Sequence, residues 1–445
     1  MTTNQQTLFI NATLIDGNGG EPVHNAAVRV VGNTIQHVGR TEDFESTSRP
    51  FDGSVSEYRV VDLKGRTLMP GLVEGHVHLA WQDANGLPDI DYKPIEETII
   101  GCVKNVELLL RCGYTAALST GTKARSDIAI KGAIESGLIP GPRFLANGPE
   151  ISASSGLTDW HPSNLKLGLE GAGIVADGPD QVRKAARKLI KEGVNTIKLN
   201  LSGEGLSPTC TADHTTYTYE EVRAAVEEAH QRGVRVAAHA RSAESVKIAL
   251  RAEVDIIFHA TLIDEEAFEM MVSHKDRFFF GPAINWLVAT VEKGPLPPAV
   301  LDQTGYVSEL KLAAAGAKRL YDAGIRMVPG GDFGFAWCRH GEYAKDLENF
   351  VKVIGLTPMQ ALVCATKTGG EYMLMGDKIG TIEEGKLADL IVVDGDPLAD
   401  ITILQDRSRL ALVMKDGEVM VNQFGLPQRL APEPVSSPVA ELVTA

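Results

Sequence analysis

Apolar and polar positions alternate in short runs at both ends of the chain, and in longer strand-then-helix units between them. Near the start, Leu8-Phe-Ile-Asn-Ala-Thr-Leu-Ile15 is β-rich and stops at Asp-Gly-Asn-Gly-Gly. Ala27-Val-Arg-Val-Val31, the turn pair Gly32-Asn33 and Thr34-Ile-Gln-His-Val38 predict a hairpin. From Leu68 the texture changes. Eight apolar runs predict buried strands: Gly71–Leu79, Tyr114–Ser119, Arg143–Gly148, Thr196–Leu201, Arg235–Ala240, Asp255–Ala260, Phe278–Ala283 and Arg326–Gly331. Helical stretches separate most of them. Thr218-Tyr-Glu-Glu221 has the capping-box pattern, and Val222, Ala225, Val226 and Ala229 then recur at helical spacing up to Gly233. Ser242 is placed to cap the next helix, to about Arg251. Eight such units over roughly 310 residues predict a (β/α)8 barrel.

β texture returns in Gly385-Lys-Leu-Ala-Asp-Leu-Ile-Val-Val-Asp394 and Arg409-Leu-Ala-Leu-Val-Met414, with Asp416-Gly417 as a hairpin turn. The expected fold class is therefore α/β, a (β/α)8 TIM barrel with a small β-sandwich-like domain built from both termini. The boundaries read as 1–67 and 379–425 for the β-domain, 68–378 for the barrel, and 426–445 for a flexible tail or an arm on a neighbouring subunit.

Composition narrows the partners. At 445 residues, with 44% hydrophobic and 23% charged positions, the chain can bury one large barrel core and an accessory domain. A net charge of −15 excludes nucleic acid and anionic membrane surfaces, both of which need a basic face. No run is long and apolar enough to span a bilayer, and Met1–Gln6 lacks a basic segment leading into an apolar one. Five scattered cysteines (Cys102, Cys112, Cys210, Cys338, Cys364) without C-x-x-C spacing read as reduced thiols of a cytoplasmic protein.

The chemistry begins with His76 and His78 in Met69-Pro-Gly-Leu-Val-Glu-Gly-His-Val-His-Leu79. Imidazoles one residue apart on a strand share a face, and can grip one ion. In a barrel of this kind, functional groups gather at the C-terminal strand ends. Strand four brings Lys198, strand five His239, strand six His259, and strand eight runs into Asp332. A single histidine at a strand end is more often structural, and a strand lysine can snorkel to water. Six candidate ligands on five strand ends in one ordered series weigh against that bland reading. Four neutral imidazoles suit Zn²⁺ or a similar metal, and Asp332 can hold water and take its proton. An ammonium at Lys198 would be repelled by cations, whereas the carbamate formed from its amine and CO2 (N6-carboxylysine) is anionic and can bridge two metals.

These residues resemble the amidohydrolase superfamily, in its binuclear branch with a carboxylated lysine. The resemblance covers Leu8 to about Phe424. Its most specific stretches are Pro70-Gly-Leu-Val-Glu-Gly-His-Val-His78 and Gly380-Thr-Ile-Glu-Glu-Gly-Lys-Leu-Ala-Asp-Leu-Ile-Val-Val-Asp394. The middle, Ala225–Ala260, is similar to Xaa-Pro and Xaa-Arg dipeptidases and ochratoxin-type carboxypeptidases, with phenylurea and thiocarbamate herbicide hydrolases in the same neighbourhood. The resemblance implies two divalent metal ions, zinc by preference. His76, His78 and Asp332 would hold the inner one, His239 and His259 the other, and Lys198 both. It implies a hydroxide shared by the metals as nucleophile, Asp332 as the catalytic proton acceptor, and assembly into a homo-oligomer.

Departures from those relatives bear on the substrate. Strand five reads His239-Ala-Arg241-Ser242 where they have His-Ala-His-Gly; Ser155-Gly-Leu157-Thr158 stands for Gly-Gly-His-Gly, and Ala117-Leu-Ser119 for an Arg-Asp pair. Several groups that would recognise a dipeptide are thus missing. Trp286, Phe333, Phe335 and Trp337 offer an aromatic enclosure instead. The expected function is hydrolysis of an amide, carbamate or urea C–N bond in a small apolar or aryl molecule, with Arg241, Trp286, Phe333 and Leu157 as substrate contacts. A dipeptidase or N-acyl amino acid carboxypeptidase is the alternative, favoured by Arg241 as a carboxylate anchor. A mononuclear deaminase would lack Lys198 and need a further carboxylate, for which only Glu244 is placed. A catalytically silent scaffold would show broken ligands, and none is broken. His161 and His340 are expected in loops facing the pocket, and His214 at its mouth.

Overall fold

The structure, a computed structural model, describes residues 6–45, 59–162, 164, 171–207 and 209–431. Most of the expected tail, from 432 onward, lies outside the described residues.

The two ends of the chain join in one sheet. Strand β1 (Gln6–Leu14) pairs antiparallel with β2 (Val23–Val31), which pairs with β3 (Thr34–Arg40) across the Gly32-Asn33 turn. On its other edge β1 takes β4 (Arg59–Asp62) along Thr7–Ile10 and β5 (Thr67–Pro70) along Thr13–Leu14, both parallel.

The chain then runs through Gly71 into the barrel strands. These are β6 (Leu72–Val77), β7 (Tyr114–Ser119), β8 (Arg143–Leu145), β9 (Glu150–Ser152), β10 (Gly173–Val175), β11 (Thr196–Asn200), β12 (Arg235–Ser242), β13 (Ile256–Leu262) and β14 (Phe279–Gly281). C-terminal strands β15 (Leu390–Val393), β16 (Leu410–Lys415) and β17 (Glu418–Asn422) return to the first sheet, with β15 antiparallel to β5 so that Leu390 faces Pro70. The strands of the small domain are hydrogen-bonded into one network of eight. Register breaks in β1 between Phe9 and Ala12, and between Ala12 and Leu14, bend it. Its inner side chains, among them Phe9, Leu14, Val28, Leu68, Leu390 and Leu412, form a core of their own.

The barrel strands pair in parallel, as β6-β7-β8 and as β10-β9-β11-β12-β13-β14. Most of their residues are buried on both faces, which is why they read as apolar runs. The segment 326–333 lies between the two groups. The Phe280 amide donates to the Arg326 carbonyl at 3.0 Å, and the Val328 amide to Phe280 at 2.9 Å. On its other side the Gly75 amide donates to Pro329 at 2.9 Å, and the Asp332 amide to His76 at 3.0 Å. The result is a TIM-barrel-like α/β fold.

Three expected strands differ. Arg143–Gly148 breaks after Leu145, because the Asp127 carboxylate takes the amides of Asn147 (2.8 Å) and Gly148 (3.0 Å) out of the ladder. Gly148 turns at φ +75°, Pro149 has no N–H, and pairing resumes at Glu150. Arg326–Gly331 makes only isolated bridges, since Pro329 cannot donate and the chain turns at Asp332 (φ +59°). Strand β12 runs two residues beyond Ala240, which carries Arg241 inside. The helix Tyr219–His230 starts at Thr218, whose side chain accepts from the Glu221 amide while Glu221 accepts from the Thr218 amide.

Candidate metal centre and substrate cleft

The strand ends deliver the six expected ligands to one place. His76 and His78 lie on one face of β6 and its exit, separated by Val77. The His78 Nε2 is 3.0 Å from Asp332 Oδ1, and the His76 Nε2 is 3.4 Å from the same oxygen. Ligand atoms of these three all fall within 4.8 Å of one another, a spacing that one ion can bridge. Lys198 places its Nζ 3.4 Å from His76 Nε2. The His239 and His259 rings lie with centroids 4.3 Å apart, and His259 Nε2 is 4.0 Å from Asp332 Oδ2.

Local structure fixes the rings. Trp81 stacks flat on His78, with centroids 3.4 Å apart and 3° between planes. His78 Nδ1 meets the Gly121 carbonyl at 3.1 Å, and as donor it leaves Nε2 with the lone pair. His239 Nε2 meets the Gly203 carbonyl at 3.1 Å, which leaves Nδ1 free in the same way. The Gly330 backbone passes so close to His76 that an added Cβ would sit 2.4 Å from the His76 nitrogen. His259 (φ +75°) and Asp332 (φ +59°) both hold left-handed backbone, at a cost of about 1–2 kcal/mol each for L residues.

Electrostatics suit a cation. Burial holds the His76, His239 and His259 imidazoles well below their ordinary pKa, so they are neutral donors of lone pairs. Burial alone would raise the Asp332 carboxyl, but His76, His78 and Lys198 outweigh it and keep the group ionised. Buried His259 Nε2 has no hydrogen-bond partner, an orphan that a metal would satisfy. Burial also lowers the Lys198 amine, which sits 4.6 Å over the Phe258 ring. The donor set therefore fits divalent metal.

Above these groups opens a cleft of roughly 370 Å³, mouth included. Leu157, Arg241 and Trp286 line it, as do Trp81, Trp160 and Phe335. Phe333 does not. Its backbone carbonyl accepts from the His78 amide at 3.1 Å, and its fully buried ring packs edge-on against Tyr343, centroids 5.0 Å apart. The reversal at Asp332 and Gly334 turns Phe335 to the cleft in its place. Trp337 stacks on Phe335 and donates to Thr290.

Of the loop histidines, His161 pairs with Asp91 at 2.8 Å, while His340 meets the Tyr343 hydroxyl at 3.1 Å. Neither they nor His214 are among the residues lining the cleft. The sequence reading missed Glu150 and Glu204, both buried and lining it. Glu204 in Ser202-Gly-Glu-Gly205 sits just beyond strand four, a position from which functional groups are expected, and carried a usable signal.

Neutral imidazoles and an ionised carboxylate at the C-terminal strand ends, under a cleft walled by aromatic side chains, define a TIM-barrel-like enzyme with a metal-fitting site. Residues 67–420 match the amidohydrolase family, and the chain belongs to that family. It is a hydrolase acting on carbon–nitrogen bonds. Ochratoxinase of Aspergillus niger is 27% identical over 444 residues, covering 94% of this chain and 87% of that protein. A solved prolidase complexed with N-methylphosphonate-L-proline is similar at 28% identity and a TM-score of 0.83, covering 94% of this chain and all of that one. Molinate hydrolase shares the fold, with a TM-score of 0.76 at 23% identity over 98% of this chain and 99% of that one.

Proposed function

We propose that this protein hydrolyses an amide, carbamate or urea C–N bond in a small, apolar or aryl molecule, using two divalent metals, zinc by preference. We take 326–333 as the eighth strand of a (β/α)8 barrel. The observation that carries the reading is the joining of the ligand cluster to a cleft walled by Trp81, Trp160, Trp286 and Phe335. His76, His78 and Asp332 would hold one metal and His239 and His259 the other. Bound there, the ions would supply Lewis acidity for the carbonyl and a water of lowered pKa. The Lys198 amine, with its positive charge disfavoured by burial, is suited to add CO2, losing one proton to become a carbamate that both ions can share. Asp332, ionised and 7% exposed, is positioned to accept a proton from water and return it to the leaving nitrogen. Aromatic side chains enclose the substrate and exclude bulk water. All five cysteines are buried free thiols, which supports a reducing, cytoplasmic setting.

The dipeptidase reading would need Arg241, at the cleft wall, to anchor a substrate carboxylate. Metal analysis of protein purified without chelator tests the core of the proposal. About two equivalents of divalent metal, with turnover of N-aryl amides, carbamates or ureas abolished by chelation, is expected. Metal-free activity would refute the mechanism, and turnover confined to dipeptides would refute the substrate class.

A further inference from the structure

Arg241 is not a free anion anchor. It is 1% exposed, and its Nη1 donates to Glu309 Oε1 at 2.7 Å. Its guanidinium lies 5.0 Å over the Trp286 ring. The same Glu309 oxygen also accepts from the Thr261 hydroxyl at 2.6 Å. Beside this pair stands Glu204, 3% exposed and lining the cleft. Its Oε2 accepts from the Tyr306 hydroxyl at 2.9 Å and its Oε1 from the Leu206 amide at 3.1 Å. Among the described residues no cation bonds to it directly, and burial pushes its carboxyl up to about 7.

One guanidinium thus faces two carboxyl groups. The sum is never positive, whichever state Glu204 adopts. A substrate carboxylate brought to this end would lose water and gain a like-charged neighbour, which is unfavourable in a buried site. An ammonium or N–H donor would meet the carboxylate of Glu204, and the Trp160 ring, which lines the same cleft, favours a cation as well. We propose that Glu204 sets the selectivity of the cleft, accepting substrates that carry a protonated amine or N–H group at this end and rejecting those with a free carboxylate. This rests on the C–N hydrolase reading above and names its substrate class.

The test uses three acyl 4-nitroanilides of matched length, ending in an ammonium (5-aminopentanoyl), a methyl (hexanoyl) or a carboxylate (glutaryl), with metal-loaded protein at pH 8. The expected order of kcat/KM is ammonium, methyl, carboxylate, with about tenfold or more between the extremes. Glu204→Gln keeps an acceptor for Tyr306 and should collapse the ratio, chiefly by raising KM for the ammonium substrate and lowering it for the carboxylate one. A preference for the glutaryl compound, or an unchanged ratio in Glu204→Gln, would overturn the proposal. If none of the three is turned over, the hydrolase reading fails for anilides. Calorimetric binding of pentylammonium against pentanoate then decides on Glu204 by itself: tighter pentylammonium, lost in the variant, supports it, and equal or reversed affinities refute it.

Discussion

The Arg241–Glu309 pair makes a quantitative claim about stability. Both groups are buried, at 1% and 5% exposure, and the Glu309 oxygen serves the guanidinium and Thr261 together. Glu309→Leu would leave a buried guanidinium without its bonded carboxylate, at a cost of about 3–5 kcal/mol. For 445 residues the unfolding entropy near the melting point is about 0.9 kcal/mol/K, so the melting temperature should drop by about 3–5 °C. Differential scanning calorimetry on chelated protein, where metal binding adds nothing, reads the shift. Arg241→Met in the same chain removes the stranded charge and should recover most of the loss. A Glu309→Leu protein melting within about 1 °C of the parent would refute the pairing, as would a double variant less stable than the single one.

Four further outcomes follow from the geometry. In metal-free protein, His76, His239 and His259 take up protons less readily folded than unfolded, so stability should be lost as pH falls below the ordinary histidine value of 6.5. Three such groups give a limiting slope of about 4 kcal/mol per pH unit in urea titrations, and a flat profile from pH 6.5 to 5 would contradict their neutrality. Gly330→Ala forces a Cβ against the His76 backbone and should lower metal content measured by plasma emission, even where circular dichroism is unchanged. Phe333→Ala should destabilise by about 3–5 kcal/mol as a core deletion, while Phe335→Ala should act mainly on KM; reversed effects would return Phe333 to the cleft. Lys198→Met should bind less metal than the parent and respond to bicarbonate no longer, whereas the parent should regain activity with added bicarbonate after decarboxylation at low pH.

Periodicity exposed the barrel strands because buried parallel strands are continuously apolar, and it exposed the candidate ligands because a histidine in such a run is conspicuous. It missed features set by distant backbone. Nothing near Arg143 announces that Asp127 will capture the amides of Asn147 and Gly148 and split a strand. Phe333 and Phe335 are equivalent in sequence, two residues apart; only the positive-φ backbone at Asp332 and, between the two rings, at Gly334 decides which faces the cleft. Arg241 looked like a free cation because its partner Glu309 lies 68 residues on, in the helix Tyr306–Asp322. The eight-stranded sheet was hidden for the same reason: its pairings join residues from opposite ends of the chain.

That sheet sets the order in which the protein can be completed during synthesis. Strand β5 continues through Gly71 into the strand bearing His76 and His78, yet one edge of β5 is covered only by β15, 320 residues later. At ribosomal rates of about 5–20 residues per second, β5 waits roughly 16–64 s for that partner. Until then the strand carrying His76 and the segment leading to His78 hang from an open sheet edge. A nascent chain halted before Leu390 should therefore hold its histidines without a finished anchor, and metal retention during translation arrest would rise only once β15 and β16 have left the exit tunnel.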